Sequence, residues 1–457
     1  MTDSAEKALG SNSPSGGLRG MRAFYVLWVG QFVSIFASRM TGFAITLWAW
    51  DLTGTATGLV LVGVISFIPG VLLSPFAGTL VDRWNRKLVM ALADTGAAFS
   101  TAVLLVLFAT GKAQIWHLYL LGAVESAFGA FQYPAYAAVV TTMLPKEQFA
   151  RANGMNTVVG SASGIAAPLL AGALLAVVDI STIMVIDLIT FGFALFTLAI
   201  ISIPQPEHSQ EAQAGKGSIW KETRFGLSYI LARRSLTAII LLFTASNIHA
   251  AFGYPMMTPM ILAKTGDSSV ILGLSRSAGS LGFLVGGLVM TVWGGPKKRI
   301  HAVNMSFILW GLLGAFVFGP GWSIPTWLIG SFMMAVFNPI INSAYIAILQ
   351  SKVEQDLQGR IFGLESAIST ISFPLGQLLA GQLADRVLEP AMMPGGTLAD
   401  LLGAFFGTGR GAGIGLVIVI GGVIAIINGL AGYLIKPIRE IETILPDRGV
   451  VDSNAVA

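Results

Sequence analysis

The chain has 457 residues, 27 of them Lys or Arg and 23 Asp or Glu, for a net charge of +4; 54% are hydrophobic and 11% charged. An ordinary soluble domain is roughly 25% charged, so a water-soluble enzyme of this size is excluded, and the non-periodic glycines and prolines exclude collagen-like and disordered chains. The lack of cysteine removes disulfides, zinc–thiolate sites and cysteine nucleophiles together, and the composition that remains fits a polytopic helical membrane protein.

Residues 1–20 are polar, contain Glu6 and lack the cationic start and apolar run of a signal peptide, so the first span is expected to stay in the mature chain. Apolar stretches follow at about 24–48, 57–80, 88–110, 117–141, 155–178 and 182–201. A second group lies at about 237–260, 269–292, 302–320, 323–348, 361–385 and 411–435. Each can cross a hydrocarbon layer of roughly 30 Å at about 1.5 Å per residue. The predicted fold is an all-α polytopic membrane protein with twelve transmembrane helices in two six-helix bundles. Its expected parts are an N-terminal segment 1–20, a bundle 21–201, a linker 202–236, a bundle 237–435 and a tail 436–457. Within the linker, Ile219 to Leu236 has apolar residues near helical spacing and fits an amphipathic surface helix.

Basic residues orient the chain. Twenty-one Lys and Arg fall on the side of both termini, among them Arg83, Arg86, Lys87 and Lys297–Arg299. The opposite loops hold four: Lys112, Lys264, Arg386 and Arg410. This bias places both termini in the cytoplasm and makes the net charge a topology signal, not a sign of nucleic-acid binding. The halves also echo one another. Gly78 pairs with Gly287 at an offset of 209, Pro134 with Pro339 at 205, and Asn153/Pro168 with Gly359/Pro374 at 206, which points to duplicated bundles.

Six ionisable residues within predicted spans need an account: Arg39, Asp94, Glu125, Asp187, Arg276 and Glu365. An unpaired charge in lipid is costly, so each should face protein or a wet cavity. Arg39 in span 1 and Glu125 in span 4 lie at nearly equal depth from the outer side. Arg276 has no opposite charge at its depth in its own half, and either pairs across the interface or attracts an anionic group.

Gly78-Thr-Leu-Val-Asp82-Arg83-Trp-Asn-Arg86-Lys87 resembles the G-x-L-x-D-R-x-x-R-K loop of the major facilitator superfamily; the counterpart from Gly287 to Arg299 keeps the glycine and the basic cluster, with Thr291 in place of the acid. Phe149-Ala-Arg-Ala-Asn153-Gly154, Gly359-Arg360, Pro374-Leu-Gly376, Ile444-Leu-Pro-Asp447 and the Trp220 to Ile230 region resemble the macrolide and drug exporters of that superfamily. Gly160-x3-Gly164-x3-Pro168-x3-Gly172 resembles the span-5 antiporter signature, with Ala167 and Ala171 replacing two glycines; it also suits close helix packing.

The resemblance implies a gate in which Asp82 meets the start of span 11 and accepts its free N–H groups. Gly78, Arg83, Arg86, Lys87, Arg360 and Glu365 would complete it. Because spans 1, 4, 7 and 10 line the cavity in the superfamily, Arg39 and Glu125 become a pair, with Glu125 standing in the R-x-x-x-G pattern where arginine is usual. The pair is either a proton-coupling site or a permanent structural ion pair, with Asp94 and Asp187 as secondary candidates. Cavity candidates are Gln31, Phe32 and Phe43; Phe128 and Gln132; Asn247, His249 and Tyr254; Arg276; and Asn338, Asn342 and Tyr345. The implied function is export of a small lipophilic or amphipathic compound, of macrolide or multidrug type, by proton antiport in the plasma membrane. The alternative is a siderophore exporter or lysolipid carrier. No ATP-binding loop, metal pair or hydrolase elbow occurs, so no enzyme, cofactor or metal is expected. The expected partners are substrate, protons and lipids, and the chain is expected to act as a monomer.

Overall fold

The structure, a computed structural model, describes residues 20–145, 148–203, 224 and 227–445. The long helices are α1 (Gly20–Thr53), α2 (Ala56–Arg83), α3 (Arg86–Ala109), α4 (Ile115–Met143), α5 (Phe149–Leu174) and α6 (Ile180–Ile200). After the linker come α7 (Arg234–Thr265), α8 (Ser269–Trp293), α9 (Arg299–Phe318), α10 (Ile324–Lys352), α11 (Gln355–Leu383) and α12 (Ala412–Leu434). Most of the linker with its expected surface helix, and residues 446–457, lie outside the described residues.

Ten of these helices are long and apolar enough to cross a membrane, among the described residues. The other two, α4 and α11, are just as extended at 29 residues each. Polar residues dilute them: His117, Glu125 and Gln132 on α4, and Glu365, Ser366, Ser369 and Ser372 on α11.

Local chemistry sets the helix ends. Thr55 and Asn85 accept the N–H groups of Gly58 and Leu88 (3.2 Å each), capping α2 and α3. Ser268 does the same for α8 through Ile271. Gly266 stops α7 with φ 63°, a left-handed conformation that glycine adopts without a Cβ clash. Two wide π-helical turns interrupt the later half, Trp310–Ala315 within α9 and Ala384–Leu388 just beyond α11.

Packing repeats between the halves. In the first, α1 packs on α5 and α6, α3 on α4 and α6, and α4 on α2. In the second, α7 packs on α11 and α12, α9 on α10 and α12, and α10 on α8. Every pairing maps onto its counterpart by a shift of six helices. The halves meet through α5 against α8 and α2 against α11. Even a detail recurs: Arg86 at the start of α3 donates to the Ala138 carbonyl of α4, and Arg299 at the start of α9 donates to Ala347 of α10.

The apolar core differs at the two ends. Toward the α1–α2 connection, one cluster runs through both halves, from Phe43, Trp50 and Val60 to Met256, Leu272 and Ala380. Toward the α2–α3 connection it divides. One cluster around Phe24, Met90 and Met143 belongs to the first half, and another around Ile240, Phe307 and Tyr345 to the second. Among the described residues, the apolar core therefore joins the halves at one end and divides at the other.

Candidate functional site

Between the halves lies a cavity of about 710 Å³. α5 contributes Thr157, Gly160, Ser161 and Gly164, and α8 contributes Leu272, Ser275, Arg276, Gly279, Ser280 and Phe283. Each set recurs at three- and four-residue intervals, so each is a single helix face. α7 adds Tyr254 and Thr258, α10 adds Asn338, and α1 adds Arg39. Tyr254 is held by donating to the Met334 carbonyl (2.7 Å) and accepting from Trp310 Nε1 in the π-helical turn of α9 (3.2 Å).

The α1–α2 end of this cavity is sealed by contacts between the halves. Ser269 and Ser277 of α8 donate to the Gly172 and Ile165 carbonyls of α5 (2.9 and 2.5 Å). A Cβ on Gly273 would sit 2.5 Å from the Pro168 carbonyl oxygen, and one on Gly172 2.6 Å from that of Ser269. The Pro168 and Gly172 end of the span-5 stripe thus works as a close-packing surface. Trp50 Nε1 donates to Asp267 at 2.6 Å, and Asp385 accepts from Ala56 and Thr57 at the start of α2. Nearby, Glu389 accepts from Gly411 and Gly413, capping α12. Burial pushes the Glu389 carboxyl above the ordinary carboxylate range, while these N–H groups draw it back. Toward the α2–α3 end, a Cβ on Gly154, Gly160 or Gly287 would meet nothing within 4 Å.

A second cavity, of about 630 Å³, lies inside the first half among α1, α2, α3 and α4, lined by Arg39, Asp94, Glu125 and Gln132. Arg39 and Glu125 therefore face the same space, yet among the described residues they make no ion pair. Glu125 instead shares a space of about 40 Å³ with Asp187, Ser38 and Thr41. Asp187 accepts from Ser38 at 2.8 Å and Thr101 at 3.4 Å. Asp94 is clamped by two carboxamides, Gln31 and Gln132, each at 2.9 Å. Arg39 also lines the 710 Å³ cavity and so forms a wall common to both.

Several expected cavity residues lie elsewhere. His249 is buried within the second half against Phe307 and Trp310, with ring centroids 5.3 and 4.8 Å away. Tyr345 stacks on Phe243 at 3.9 Å and donates to Glu365. Glu365 also accepts from Ser369, so in this conformation it is a tie between α10 and α11 within one half. Asn247 donates to the Ser369 carbonyl, and Asn342 to Asn338. Phe32 stacks on Trp28, Phe43 is core, and Phe128 covers Gly96 of α3. Tyr254, Arg276 and Asn338 do line the central cavity, while Gln31 and Gln132 line a side cavity of about 350 Å³. The polar faces of α5 and α8 were missed, although Ser275, Arg276, Gly279 and Ser280 were legible as one stripe.

Of the expected gate, Gly78, Asp82 and Arg83 lie in the last turns of α2 and Arg360 in the first turns of α11; the side chains at these positions lie outside the described residues. Arg86 and Lys87 bind within their own half. Lys87 Nζ donates to the Ala199 and Ile201 carbonyls at 2.8 Å, closing the C-terminus of α6.

Apolar span-length helices around a central cavity, sealed at one end, make this a multi-pass, all-α membrane protein, and the sequence profile it matches makes it a transporter of small molecules. The chain belongs to the Major Facilitator Superfamily, whose sequence profile matches residues 27–376. It is 27% identical over 372 residues to macrolide efflux protein A of Streptococcus pyogenes, covering 80% of this chain and 90% of that protein. To the multidrug efflux pump Tap of Mycobacterium bovis it is 27% identical over 382 residues, covering 79% and 87%. The fold resembles an inward-facing, unoccupied bacterial homolog of the human lysosomal transporter Spinster (TM-score 0.66, 13% identity, 92% and 96% covered). It also resembles the nucleoside transporter NupG (TM-score 0.68, 12% identity, 90% and 99% covered).

Proposed function

We propose that the chain is a secondary exporter of lipophilic or amphipathic compounds, working by alternating access between two six-helix bundles, 21–201 and 237–435, and exchanging substrate for protons. Both termini are taken as cytoplasmic from the bias of basic residues. The observation that carries the reading is the central cavity with a core continuous across the halves at one end and divided at the other. With the α2–α3 end in the cytoplasm, this conformation is inward-facing. Likeness to drug exporters in sequence supports efflux as the direction.

Glu125 supports proton coupling. It shares a narrow space with a second carboxylate, Asp187, and two like charges close together are less costly when one of them holds a proton. On its other side stands Arg39, which also faces the substrate cavity. Protonation of Glu125 would free the Arg39 field for the central cavity, linking proton and substrate through one guanidinium. The alternative reading, a siderophore or lysolipid carrier, draws on the same cavity: its charged lining residues are both arginines.

The test uses inverted membrane vesicles loaded with wild type or Glu125→Gln. Wild type should accumulate substrate with a proton gradient and acidify its surroundings when substrate is added. The variant should bind substrate but lose gradient-driven accumulation; undiminished accumulation would remove Glu125 as the carrier.

A further inference from the structure

The central cavity carries two guanidinium groups, Arg39 from α1 and Arg276 from α8, and no Asp or Glu among its described lining residues. Both residues are exposed and line this space. Arg39 makes no hydrogen bond or ion pair among the described residues, and Arg276 is anchored by a single bond from Nη2 to Thr258 Oγ1 at 3.1 Å. A charge inside a membrane is expensive unless partnered. Arg39 also faces Glu125 and Asp94 in the adjoining cavity without pairing with either, and on the described central lining neither guanidinium meets a carboxylate, which leaves a place for a partner from outside.

Each stands beside the other's helix. The Arg276 guanidinium lies 5.7 Å from the centroid of Phe43, one turn along α1 from Arg39. Arg39 in turn packs beside Ser280, one turn along α8 from Arg276, and Gly164: a Cβ added to Gly164 would lie 3.2 Å from Arg39 Nη1 and 3.1 Å from Ser280 Oγ. α1 and α8 run in opposite senses, so positions 39 and 276 lie about one helical turn apart in depth. An oxyanion bridging them would find further donors in Ser280 and Ser275, both on the cavity wall. The rest of the lining is apolar, with Met257, Ile261, Leu272 and Phe283.

Building on the transport reading above, we infer that the substrate is an anionic amphiphile, whose phosphate or carboxylate is held between Arg39 and Arg276 while its apolar part lies along Met257, Ile261 and Phe283. Arginine suits this role because its planar fork can give two parallel hydrogen bonds to one oxyanion. Absence of glycine side chains at positions 160, 164 and 279 leaves room for the headgroup. A bulky cation would meet two like charges at the same place.

The experiment measures binding to the full chain in nanodiscs of uncharged lipid, using four probes with the same twelve-carbon tail. These are dodecanoate, dodecyl phosphate, an uncharged dodecyl glucoside and dodecyltrimethylammonium. Wild type should bind at least one of the two anions about tenfold or more tightly than the uncharged probe, and the cation most weakly, because charge-assisted bonds set the difference. The first two arms separate a carboxylate from a phosphate preference. Arg39→Gln and Arg276→Gln should each bring the preferred anion down to the uncharged probe while that probe binds as before. Equal or tighter binding of the cation by wild type would overturn the inference, and this comparison needs no variant to fold. Anion preference surviving in both variants would overturn it as well. Loss of proton-driven export with anion preference intact would instead count against the antiport reading alone.

Discussion

Asp385 and Thr57 belong to opposite halves and meet at the sealed end of the cavity, the carboxylate Oδ2 accepting the Thr57 N–H at 2.7 Å while Oδ1 accepts that of Ala56 at 3.0 Å. Those N–H groups open α2 and have no partner within the helix, and the carboxylate also meets the positive end of its dipole. Asp385 reaches them from the π-helical turn that extends α11. α2 and α11 run antiparallel, and Asp82 ends α2 at the opposite side of the membrane. On the reading proposed here each helix offers an acid to the other's start, Asp385 when the outer end is shut and Asp82 when the inner end is.

Asp385→Asn should therefore shift the resting population toward the outward-facing form. An N-terminal cap is worth about 0.5–2 kcal/mol, so the shift is a few-fold to about thirtyfold. The chain contains no cysteine, which allows clean spin labelling at Leu52→Cys and Val387→Cys, both exposed near the contact. The label separation should lengthen in Asp385→Asn and return toward the original in the double variant with Asp82→Asn. An unchanged distance distribution would show that Asp385 does not hold the end closed.

Asp94 should behave differently from Glu125. Its two oxygens are already occupied by Gln31 and Gln132, one from each neighbouring helix, and it is buried among them. Gln132→Leu leaves a buried carboxylate oxygen without its donor, a loss of about 1–3 kcal/mol. Asp94→Asn keeps an acceptor and removes the charge, so it should lower the thermal midpoint less while preserving proton-driven transport. A midpoint for Gln132→Leu equal to that of wild type would show that the clamp adds no stability, and transport abolished in Asp94→Asn would transfer the coupling role to Asp94.

The helices were legible because lipid demands long apolar runs, and their ends were fixed by local signals such as Thr55, Asn85 and Ser268. The site was only half legible. Arg39, Glu125 and Arg276 stood out because charge is rare at such depth, but depth along a helix does not give its rotation. Arg39 and Glu125 match in depth and face one cavity, yet Glu125 turns toward Asp187. His249 and Tyr345 carry suitable polar groups on α7 and α10, but the His249 ring packs against Trp310 of α9 and Tyr345 ties α10 to Glu365 of α11. Asp385 was invisible because its position depends on a π-helical turn that no hydrophobic period announces.

Lys87 illustrates a basic residue whose task is structural as well as topological. Its ammonium joins the start of α3 to the last carbonyls of α6. Lys87→Met keeps the apolar stem and removes these bonds, and should destabilise the first half by about 1–3 kcal/mol. The lowered thermal midpoint should be the same in neutral and anionic nanodiscs. A loss confined to anionic lipid would mean that Lys87 serves headgroups instead.

Two glycines give opposite expectations from the same substitution. Gly273 lies where α8 crosses α5 at the sealed end, and its Cβ would collide with the Pro168 backbone, which cannot yield as a flexible side chain would. Gly273→Val should prise that end open, lowering the thermal midpoint and lengthening the Leu52–Val387 label distance. Gly287, on the same helix toward the α2–α3 end, has nothing within 4 Å of its Cβ position, so Gly287→Val should leave the midpoint and the inward-facing distances unchanged. Alternating access requires that end to close during each cycle, bringing α8 back toward α5, where small residues permit close approach. Gly287→Val should then bind substrate normally and transport it slowly. Full transport by Gly287→Val, measured in the same vesicles, would mean that the two ends do not exchange contacts and that the closure of α5 on α8 is confined to the sealed side.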